Sequence, residues 1–139
     1  MVATSRRFPR EIESLGAIHE YLDEFSEIQK IDARTTFCIR LVVEELFTNM
    51  VRHNRGGGEE ILVALDRIGD RLDLELVDSD VEPFDPDGVA AVAVAAGAEE
   101  REPGGLGVHL VRTMVDSLDY HYETEGRRMR VEVSKTLER

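Results

Sequence analysis

The sequence predicts an α/β protein, a two-layer sandwich in which helices cover one face of a mixed, mostly antiparallel sheet. Two long segments within the first 53 residues have apolar residues at every third or fourth position, which is typical of amphipathic helices. Two pairs of alternating segments follow, and a glycine-containing turn joins the members of each pair, which is typical of antiparallel hairpins. Helices and hairpins that each have one apolar face are stabilised when they pack as layers.

Length and composition indicate one soluble globular domain over residues 1–139. Hydrophobic residues make up 42% of the chain and charged residues 33%, which suits a core of ordinary size. The longest uncharged stretch, at 88–98, is alanine-rich and too short to span a bilayer. The basic residues near the N-terminus have no apolar segment after them, so no secretory signal is expected. The single cysteine, Cys38, excludes an internal disulfide, and we expect a cytoplasmic protein without membrane attachment.

The charge balance excludes one class of partner. The chain has 17 basic and 29 acidic residues, and its formal net charge is −12. A surface that binds duplex nucleic acid must be basic, whereas this sequence has only scattered basic pairs such as Arg6–Arg7. Nucleic acid is therefore not an expected partner. A small anion is still compatible, because backbone amides and a metal ion bind anions whatever the net charge.

The first 53 residues predict an edge strand and two helices. A short strand at 6–9 precedes a helix over about 10–27, whose apolar residues recur at intervals of three and four: Ile12, Leu15, Ile18, Leu22 and Phe25. Asp32 is an N-cap candidate for a long helix that ends at His53, before Arg-Gly-Gly-Gly at 55–58.

The remaining residues predict two hairpins with an irregular region between them. Gly69 and Asp70 form the turn between the strands 60–68 and 71–79. Residues 86–97 are expected to be helical or irregular, followed by a polar loop at 99–105 and a helix over about 106–117. The second hairpin pairs 118–124 with 129–137 around a turn at 125–128.

One face of the long predicted helix combines apolar residues with a line of polar residues. Glu45, Asn49 and His53 follow one another at intervals of four along the edge of the apolar stripe. A carboxylate and an amide stacked in this way can bind a hard cation through oxygen or orient a water molecule. The same spacing is typical of the solvated flank of an amphipathic helix, and on spacing alone that interpretation is favoured.

A glycine-rich stretch precedes the last predicted helix. Its residues are Gly104, Gly105, Leu106, Gly107 and Val108. The free N–H groups and the dipole at a helix start favour an anion, and glycine allows the backbone to approach closely. The alternative is a flexible turn that only starts the helix, because an isolated Gly-Gly-x-Gly motif is weak evidence.

Asp78 lies at the end of a predicted strand, at the start of the acidic segment 76–86. A carboxylate in this position can accept a hydrogen bond from an exocyclic amine and thereby read adenine. The alternative is an ordinary turn acid, since aspartate is a common turn residue. No catalytic nucleophile is evident, because Cys38 lies in the middle of an apolar helix face and no Cys/His metal spacing exists.

The order of these motifs resembles the ATP-binding fold that DNA gyrase shares with sensor histidine kinases, a heat-shock chaperone and a mismatch-repair ATPase. Within this Bergerat-fold group, the chain is most similar to the small bacterial anti-sigma-factor serine/threonine kinases. The likeness is carried by VVEELFTNMVRHN (42–54), LVDSDVEPFDP (76–86) and EEREPGGLGVHLVRTMVD (99–116), and it covers nearly the whole chain. The resemblance implies one histidine kinase-like ATP-binding domain over residues 1–139.

The resemblance also implies roles for individual residues, with ATP and Mg²⁺ as cofactors. Glu45 matches the general base that activates a hydroxyl or water for attack on the γ-phosphate, and Asn49 matches the Mg²⁺ ligand. His53 matches a basic position found in many members, and Asp78 matches the acid that reads the adenine amino group. Residues 98–103 would form a lid over ATP. The stretch whose amides meet the phosphates is Gly104, Gly105, Leu106, Gly107 and Val108.

The chain departs from the family pattern at two places. Asp80, in the adenine-binding loop, stands where the family usually has glycine, and the Pro-Phe-Asp-Pro motif at 83–86 arrives one residue late. A side chain therefore stands where the backbone normally approaches the base. Gly126 is followed by Arg127 and Arg128, whereas many members have threonine there. Arginine at this place either weakens nucleotide binding or contacts the phosphates.

Three functions remain open on the sequence. The first is an ATP-dependent kinase that phosphorylates a serine or threonine of a small STAS-type anti-sigma-factor antagonist and so switches partners. The second is a non-catalytic module that binds a sigma factor or another protein, which Asp80 and the missing threonine favour. The third is a phosphatase-associated or sensor domain of a larger chain. The resemblance implies a homodimer, and the net charge favours a basic partner surface.

Overall fold

The computed structural model describes residues 2–53, 58–82 and 110–137. The predictions for residues 86–97, for the lid and for the glycine-rich stretch lie outside these ranges. The described elements follow the predicted order of helices and hairpins, namely β1 (Val2–Pro9), α1 (Leu15–Ile28), α2 (Ala33–His53), β2 (Glu60–Ile68), β3 (Arg71–Asp78), β4 (Ser117–Glu123) and β5 (Arg128–Thr136). Neither described helix combines the length and the apolar character that a bilayer span requires.

The five strands form one open sheet in the order β1-β2-β3-β5-β4. Every neighbouring pair of described strands is antiparallel, so the sheet has no parallel pairing in this part of the chain. The first predicted hairpin is confirmed, with Gly69 in the left-handed region at φ 62°. β3 and β5 are neighbours although they are distant in sequence, and Asp78 at the end of β3 lies opposite Met129. The end of β3 therefore lies beside the turn that joins β4 and β5.

The core lies between the sheet and the two helices, as the two-layer sandwich predicts. Alternate residues of β2 and β3 are buried on one face, while the helices bury residues at intervals of three and four. The fully buried side chains include Leu22, Ile39, Val43, Phe47, Ile61, Val63, Leu72 and Leu76. The fold class predicted from the sequence is confirmed.

The first helix begins later than the sequence predicts. A single 3₁₀ turn (Ile12–Ser14) precedes α1, and Glu11 has an extended backbone with φ −153°. Arg10 donates its backbone N–H to the carbonyl of Glu59 at 2.8 Å, so the pairing with the neighbouring chain segment continues one residue past β1 and the backbone stays extended through Glu11. The predicted start at residue 10 is therefore wrong, and α1 begins at Leu15.

The long second helix has the predicted limits. The carboxylate of Asp32 accepts a hydrogen bond from the backbone N–H of Thr35 at 2.8 Å, which confirms Asp32 as the N-cap. α2 then continues to His53. Both Glu45 and Asn49 lie within this helix, which packs on the face of the sheet that the helices cover.

The last predicted helix ends earlier than expected. Residues 110–112 are helical, but residues 113–116 form a turn and a bend before β4 starts at Ser117. Thr113 and Met114 donate their backbone N–H groups to carbonyls only three residues back, which tightens the chain and ends the helix. Asp116 then donates to the carbonyl of Ser134 and joins the sheet. The predicted end at residue 117 is wrong.

Candidate functional site

Glu45 is a partly buried carboxylate in the middle of α2. Its Oε2 atom is buried and has no hydrogen-bond partner among the described residues. Burial raises the pKa of Glu45, the neighbouring charge of Glu44 raises it further, and Arg52 opposes both effects. A carboxylate with a raised pKa and a vacant acceptor atom has the properties of a general base.

Asn49 lies one helical turn after Glu45 and is enclosed by the protein. Its relative exposure is only 2%, so the interpretation of this line as a solvated flank is wrong for Asn49. A buried amide one turn from a partly buried carboxylate is a specific polar arrangement on a helix face that is otherwise mostly apolar. Of His53, the third predicted member, the backbone is described as the last residue of α2.

Asp78 is completely buried at the end of β3. It is the last residue of the strand and has the same orientation as Leu76, toward the helix layer. Its carboxylate forms an ion pair with the guanidinium of Arg10, whose side chain is only 12% exposed. The interpretation of Asp78 as an ordinary turn acid is therefore wrong, because a turn acid would be solvated.

Arg10 joins three segments that are distant in sequence. Besides its ion pair with Asp78, it donates from Nη1 to the backbone carbonyl of Met50 in α2 at 2.9 Å. Its backbone N–H binds Glu59, immediately before β2. Sequence reasoning missed this residue, because its partners lie 40 or more positions away and no local spacing relates them.

The loop after β3 turns at Asp80, a non-glycine residue with positive φ. Asp80 adopts φ 57°, in the left-handed region that favours glycine, although the residue is an aspartate. The loop is held from two sides: Gly58 donates its N–H to the carbonyl of Ser79 at 2.8 Å, and Tyr122 donates its hydroxyl to the carbonyl of Val81 at 2.7 Å. Backbone contacts on both sides of Asp80 therefore fix the conformation of this loop.

The β4–β5 turn contacts the loop after β3 through its backbone. It has arginine at 127 and 128, where the family pattern suggested a threonine side chain. The N–H of Val81 donates to the carbonyl of Arg127 at 2.9 Å, so the turn and the loop after β3 are directly joined. Gly126 and Arg127 both have positive φ, 87° and 48°. Arg128 lies 3.6 Å from Glu123, within ion-pair distance. Its charge is therefore partly compensated within the hairpin.

The described site residues converge on one end of the sheet. Arg10 contacts both Asp78 at the end of β3 and Met50, the residue after Asn49 in α2. Val81, in the loop after β3, is hydrogen-bonded to the β4–β5 turn. No group of three His, Cys, Asp or Glu side chains that could hold a metal occurs within residues 2–53, 58–82 and 110–137. A metal held by one amide and by phosphate oxygens does not need such a group. The phosphate-binding candidates lie outside the described residues: Gly104, Gly105, Leu106, Gly107 and Val108.

The fold and these residues define a class of protein. The chain belongs to the histidine kinase-like ATPase domain family, whose model matches residues 8–135. The match includes Glu45, Asn49 and Asp78, the strands β2, β3 and β4, and all but the last residue of β5. No curated protein matches the chain in sequence.

Two solved structures have the same fold at low sequence identity. The RsbU and RsbW domains of Rv1364c from Mycobacterium tuberculosis superpose with a TM-score of 0.70 and 14% identity. That superposition covers 100% of this chain and 33% of the Rv1364c chain, so this chain spans only a third of that protein. The SiaB-SiaC complex from Pseudomonas aeruginosa gives a TM-score of 0.61 and 17% identity, covering 97% of this chain and 89% of that chain.

Proposed function

We propose that the protein is an ATP-binding serine/threonine kinase of the anti-sigma-factor type, which phosphorylates a small STAS-type antagonist and thereby exchanges protein partners. The observation that carries this proposal is the pair formed by Glu45 and Asn49 on the covered side of α2. Glu45 keeps a buried carboxylate oxygen without a partner among the described residues, and Asn49 is enclosed one turn away. Membership of the ATPase family supplies the reason to assign nucleotide chemistry to this pair.

The residues suit phosphoryl transfer because that reaction depends mainly on positioning, charge compensation and a base. Glu45 would accept the proton of the attacking serine or threonine hydroxyl, and its raised pKa favours that transfer. Asn49 would hold Mg²⁺ through its amide oxygen, a hard ligand of the kind this ion prefers. Mg²⁺, when bound, compensates the charge of the phosphates. Asp78 would accept a hydrogen bond from the 6-amino group of the adenine ring.

The proposed partner is a protein, and the similar structures support that class of partner. One of them is a complex of two proteins, SiaB and SiaC, and the other combines an RsbU and an RsbW domain. The net charge of −12 would favour encounter with a basic surface on the antagonist or on a sigma factor. A cytoplasmic homodimer is part of the same proposal.

A phosphoryl-transfer assay with a matched control variant tests the kinase function. The protein is incubated with radiolabelled ATP, Mg²⁺ and the STAS-type protein encoded nearest to it in its genome. Glu45→Gln is expected to reduce transfer at least 100-fold, about the low end of a general base's contribution. Glu44→Gln removes an adjacent glutamate that is half exposed near His19, and it should retain most activity. Equal losses in both variants, or no transfer from the wild type, would contradict the proposal.

A non-catalytic partner-binding module is the second candidate, and two observations favour it. Asp78 is already engaged by Arg10, and Asp80 places a side chain at the position where the family has glycine. Calorimetric titration with ATP and ADP in the presence of Mg²⁺ separates the candidates. Heat of binding that saturates at micromolar to millimolar nucleotide supports the kinase, whereas no binding at millimolar concentration supports the module.

A further inference from the structure

The face of the sheet that points away from the helices has a regular pattern of charge. Both described helices pack on one face, so the opposite face is open in the part of the chain that the structure describes. Alternate residues of each strand point to this open face, and the strand register aligns them in rows that run across the sheet. Three of these rows extend over all five strands.

Two neighbouring rows on the open face carry opposite charge. The basic row consists of Arg7, Leu62, Val77, Arg130 and His121. The acidic row consists of Ser5, Ala64, Glu75, Glu132 and Asp119. The third row, from Ala3 to Ser117, has no side chain longer than aspartate. A shallow cavity of about 650 Å³ lies over the second and third rows, which together form an acidic trough beside the basic row.

We propose that the open face binds a second copy of this chain, in a two-fold symmetric dimer that lays the basic row of each protomer over the acidic trough of the other. This dimer would give the homodimer of the proposed function its surface, and it rests on that part of the proposed function alone. It does not depend on whether the protein binds ATP or transfers phosphate.

A two-fold axis between the basic row and the acidic row makes the open face complementary to itself. When the axis runs across the strands, it places one face on the other with each strand opposite its own copy. Arg130 would then face the partner's Glu132, and His121 would face the partner's Asp119. Symmetry provides each of these contacts twice. Sheets that pack face to face lie about 10 Å apart, a gap that side chains from both faces fill together.

The acidic row is only partly neutralised within one protomer. Glu132 lies directly opposite Glu75 on one side and directly opposite Asp119 on the other. Arg130 contacts Glu75 at 3.8 Å, and the ring of His121 lies 3.8 Å from the carboxylate of Glu132. The Glu132 side chain is 49% exposed, so its carboxylate is accessible to a second protomer. An arginine from that protomer would relieve the repulsion that remains in the acidic row.

The open face is large enough for a specific but weak dimer. Strands lie about 4.8 Å apart, and outward residues lie about 6.8 Å apart along a strand. Five strands with about four outward residues each would therefore cover about 1,300 Å² in the two protomers together. Specific interfaces bury about 1,200–2,000 Å², so this one lies at the low end. We expect a dissociation constant of about 1–100 µM, with separate protomers and a solvated face in more dilute solution.

A solvated face without a partner is the alternative. Arg130 contacts Glu123 at 3.2 Å as well as Glu75, so ion pairs within one protomer already compensate part of the charge. The net charge of −12 on each protomer also opposes association. The alternative predicts that charge reversal on this face changes the stability of the protomer but not its association. The dimer predicts that reversal in either row prevents association and that reversal in both rows restores it.

Sedimentation velocity with two opposite charge reversals tests the dimer. Arg130→Glu places a glutamate opposite the partner's Glu132, and Glu132→Lys places a lysine opposite the partner's Arg130. Each variant alone should raise the dissociation constant of the dimer at least about tenfold over the wild type. An equimolar mixture of the two variants should form a heterodimer about as tightly as the wild type dimerises, because each reversed residue then faces the opposite charge. Effects confined to one protomer do not produce this recovery.

Glu132→Lys is the more informative single variant. It removes a like charge opposite Glu75 and Asp119, and it reduces the net charge by two, from −12 to −10. Both effects favour a folded and less repulsive protomer, so loss of its dimer would require an intermolecular cause. The control Glu24→Lys makes the same change in net charge on the exposed side of α1 and should dimerise like the wild type. Circular dichroism checks the fold of each variant. If Arg130→Glu does not fold, the comparison of Glu132→Lys with Glu24→Lys still tests the dimer.

Three results would overturn the inference. A wild type that stays monomeric up to about 1 mM would exclude any dimer, including the homodimer of the proposed function. Variants that dimerise like the wild type would exclude this face but not a homodimer through another surface. Loss of the dimer in both variants without recovery in their mixture would exclude the pairing of Arg130 with the partner's Glu132. Failure of the kinase function is distinct, because the dimer would form and no labelled phosphate would be transferred.

Discussion

Arg10 and Asp78 form a buried ion pair that joins the segment after β1 to the last residue of β3. The pair is extended to α2 by the bond from Arg10 to Met50, so one guanidinium connects the edge of the sheet, its central strand and the helix layer. Two opposite charges removed from water must remain paired, because either charge alone would be strongly destabilised. The polar end of this core is therefore held together by a contact that also lies at the candidate base site.

Removing Arg10 is expected to destabilise the fold strongly. Arg10→Met would remove the positive charge beside the buried carboxylate of Asp78, and breaking a buried ion pair typically costs about 3–5 kcal/mol of unfolding free energy. Chemical denaturation monitored by circular dichroism measures this change. The matched control is Arg7→Met, which removes an exposed arginine of the adjoining strand β1 and should change stability by no more than about 0.5 kcal/mol.

A variant without both Arg10 and Asp78 distinguishes the effect of the ion pair from the effect of leaving one charge buried alone. Arg10→Met combined with Asp78→Leu removes both charges at once, so it should recover most of the stability that Arg10→Met loses. If Arg10→Met and the double variant are equally stable, the uncompensated charge of Asp78 does not cause the loss of stability in Arg10→Met.

Glu45 should make stability and activity respond to pH in opposite directions. Its pKa is raised by burial, so the folded protein holds this proton more tightly than the unfolded chain does. The contribution of Glu45 to stability is therefore full at acid pH and is lost as pH rises through the raised pKa. Glu45→Gln should increase the free energy of unfolding at neutral pH, and the gain should vanish below the ordinary glutamate range.

Activity should show the reverse dependence on the same group. A general base works only when ionised, so the rate of phosphoryl transfer should rise with pH through an apparent pKa above the ordinary glutamate range. Rate profiles of the wild type and of Glu44→Gln test this. Glu44→Gln removes a charge that raises the pKa of Glu45, so its profile should move toward lower pH. A profile that does not move would exclude Glu45 as the titrating group.

Glycine at position 80 should stabilise the loop after β3. Asp80 holds φ 57°, a conformation that costs an L-residue more than it costs glycine. Asp80→Gly is expected to raise the free energy of unfolding by about 0.5–1 kcal/mol, and under the proposed function it should strengthen ATP binding, because a side chain of the proposed adenine-binding loop is removed. Thermal unfolding and calorimetry measure the two effects. The control Asp80→Asn keeps a residue that tolerates this conformation and should change stability little. A destabilised Asp80→Gly would contradict the strain argument.

Local patterns in the sequence predict most of the described fold. The limits of α2 follow from Asp32 as N-cap and from the regular apolar spacing, and the first hairpin follows from Gly69 between two alternating segments. These features depend on interactions between residues that are close in sequence. The first strand begins at Val2, four residues earlier than predicted. The errors at the start of α1 and at the end of the last helix occur where a backbone N–H binds a distant carbonyl: Arg10 to Glu59 and Asp116 to Ser134.

The candidate site could be predicted only in part for the same reason. Glu45 and Asn49 lie four residues apart on one helix, so periodicity places them together. Spacing could not show that Asn49 is enclosed, because burial depends on the layers packed above it. Nor could it show Arg10 beside Asp78, since 68 positions separate them and only the pairing of β1 with β2 and of β2 with β3 brings them together.

Glu132 lies between two other acidic residues on the face of the sheet opposite the helices. In the strand register it is directly opposite Glu75 on β3 and directly opposite Asp119 on β4. Like charges directly opposite each other on neighbouring strands destabilise a sheet, and Arg130 relieves only part of this repulsion by contacting Glu75 at 3.8 Å. This face of the sheet contains a shallow cavity of about 650 Å³, and Glu75, Asp119 and Glu132 are among the residues that line it.

Replacing Glu132 by lysine should therefore stabilise the sheet. Glu132→Lys converts two repulsive cross-strand pairs into attractive ones, and we expect a gain of about 0.5–1 kcal/mol in unfolding free energy. The gain should fall as salt is raised to 1 M, because these side chains are solvated and the charges are screened. Glu125→Lys makes the same change in net charge in the exposed β4–β5 turn, so it corrects for the general effect of reducing −12 to −10. If both lysine variants gain equally, net charge rather than the strand register explains the effect.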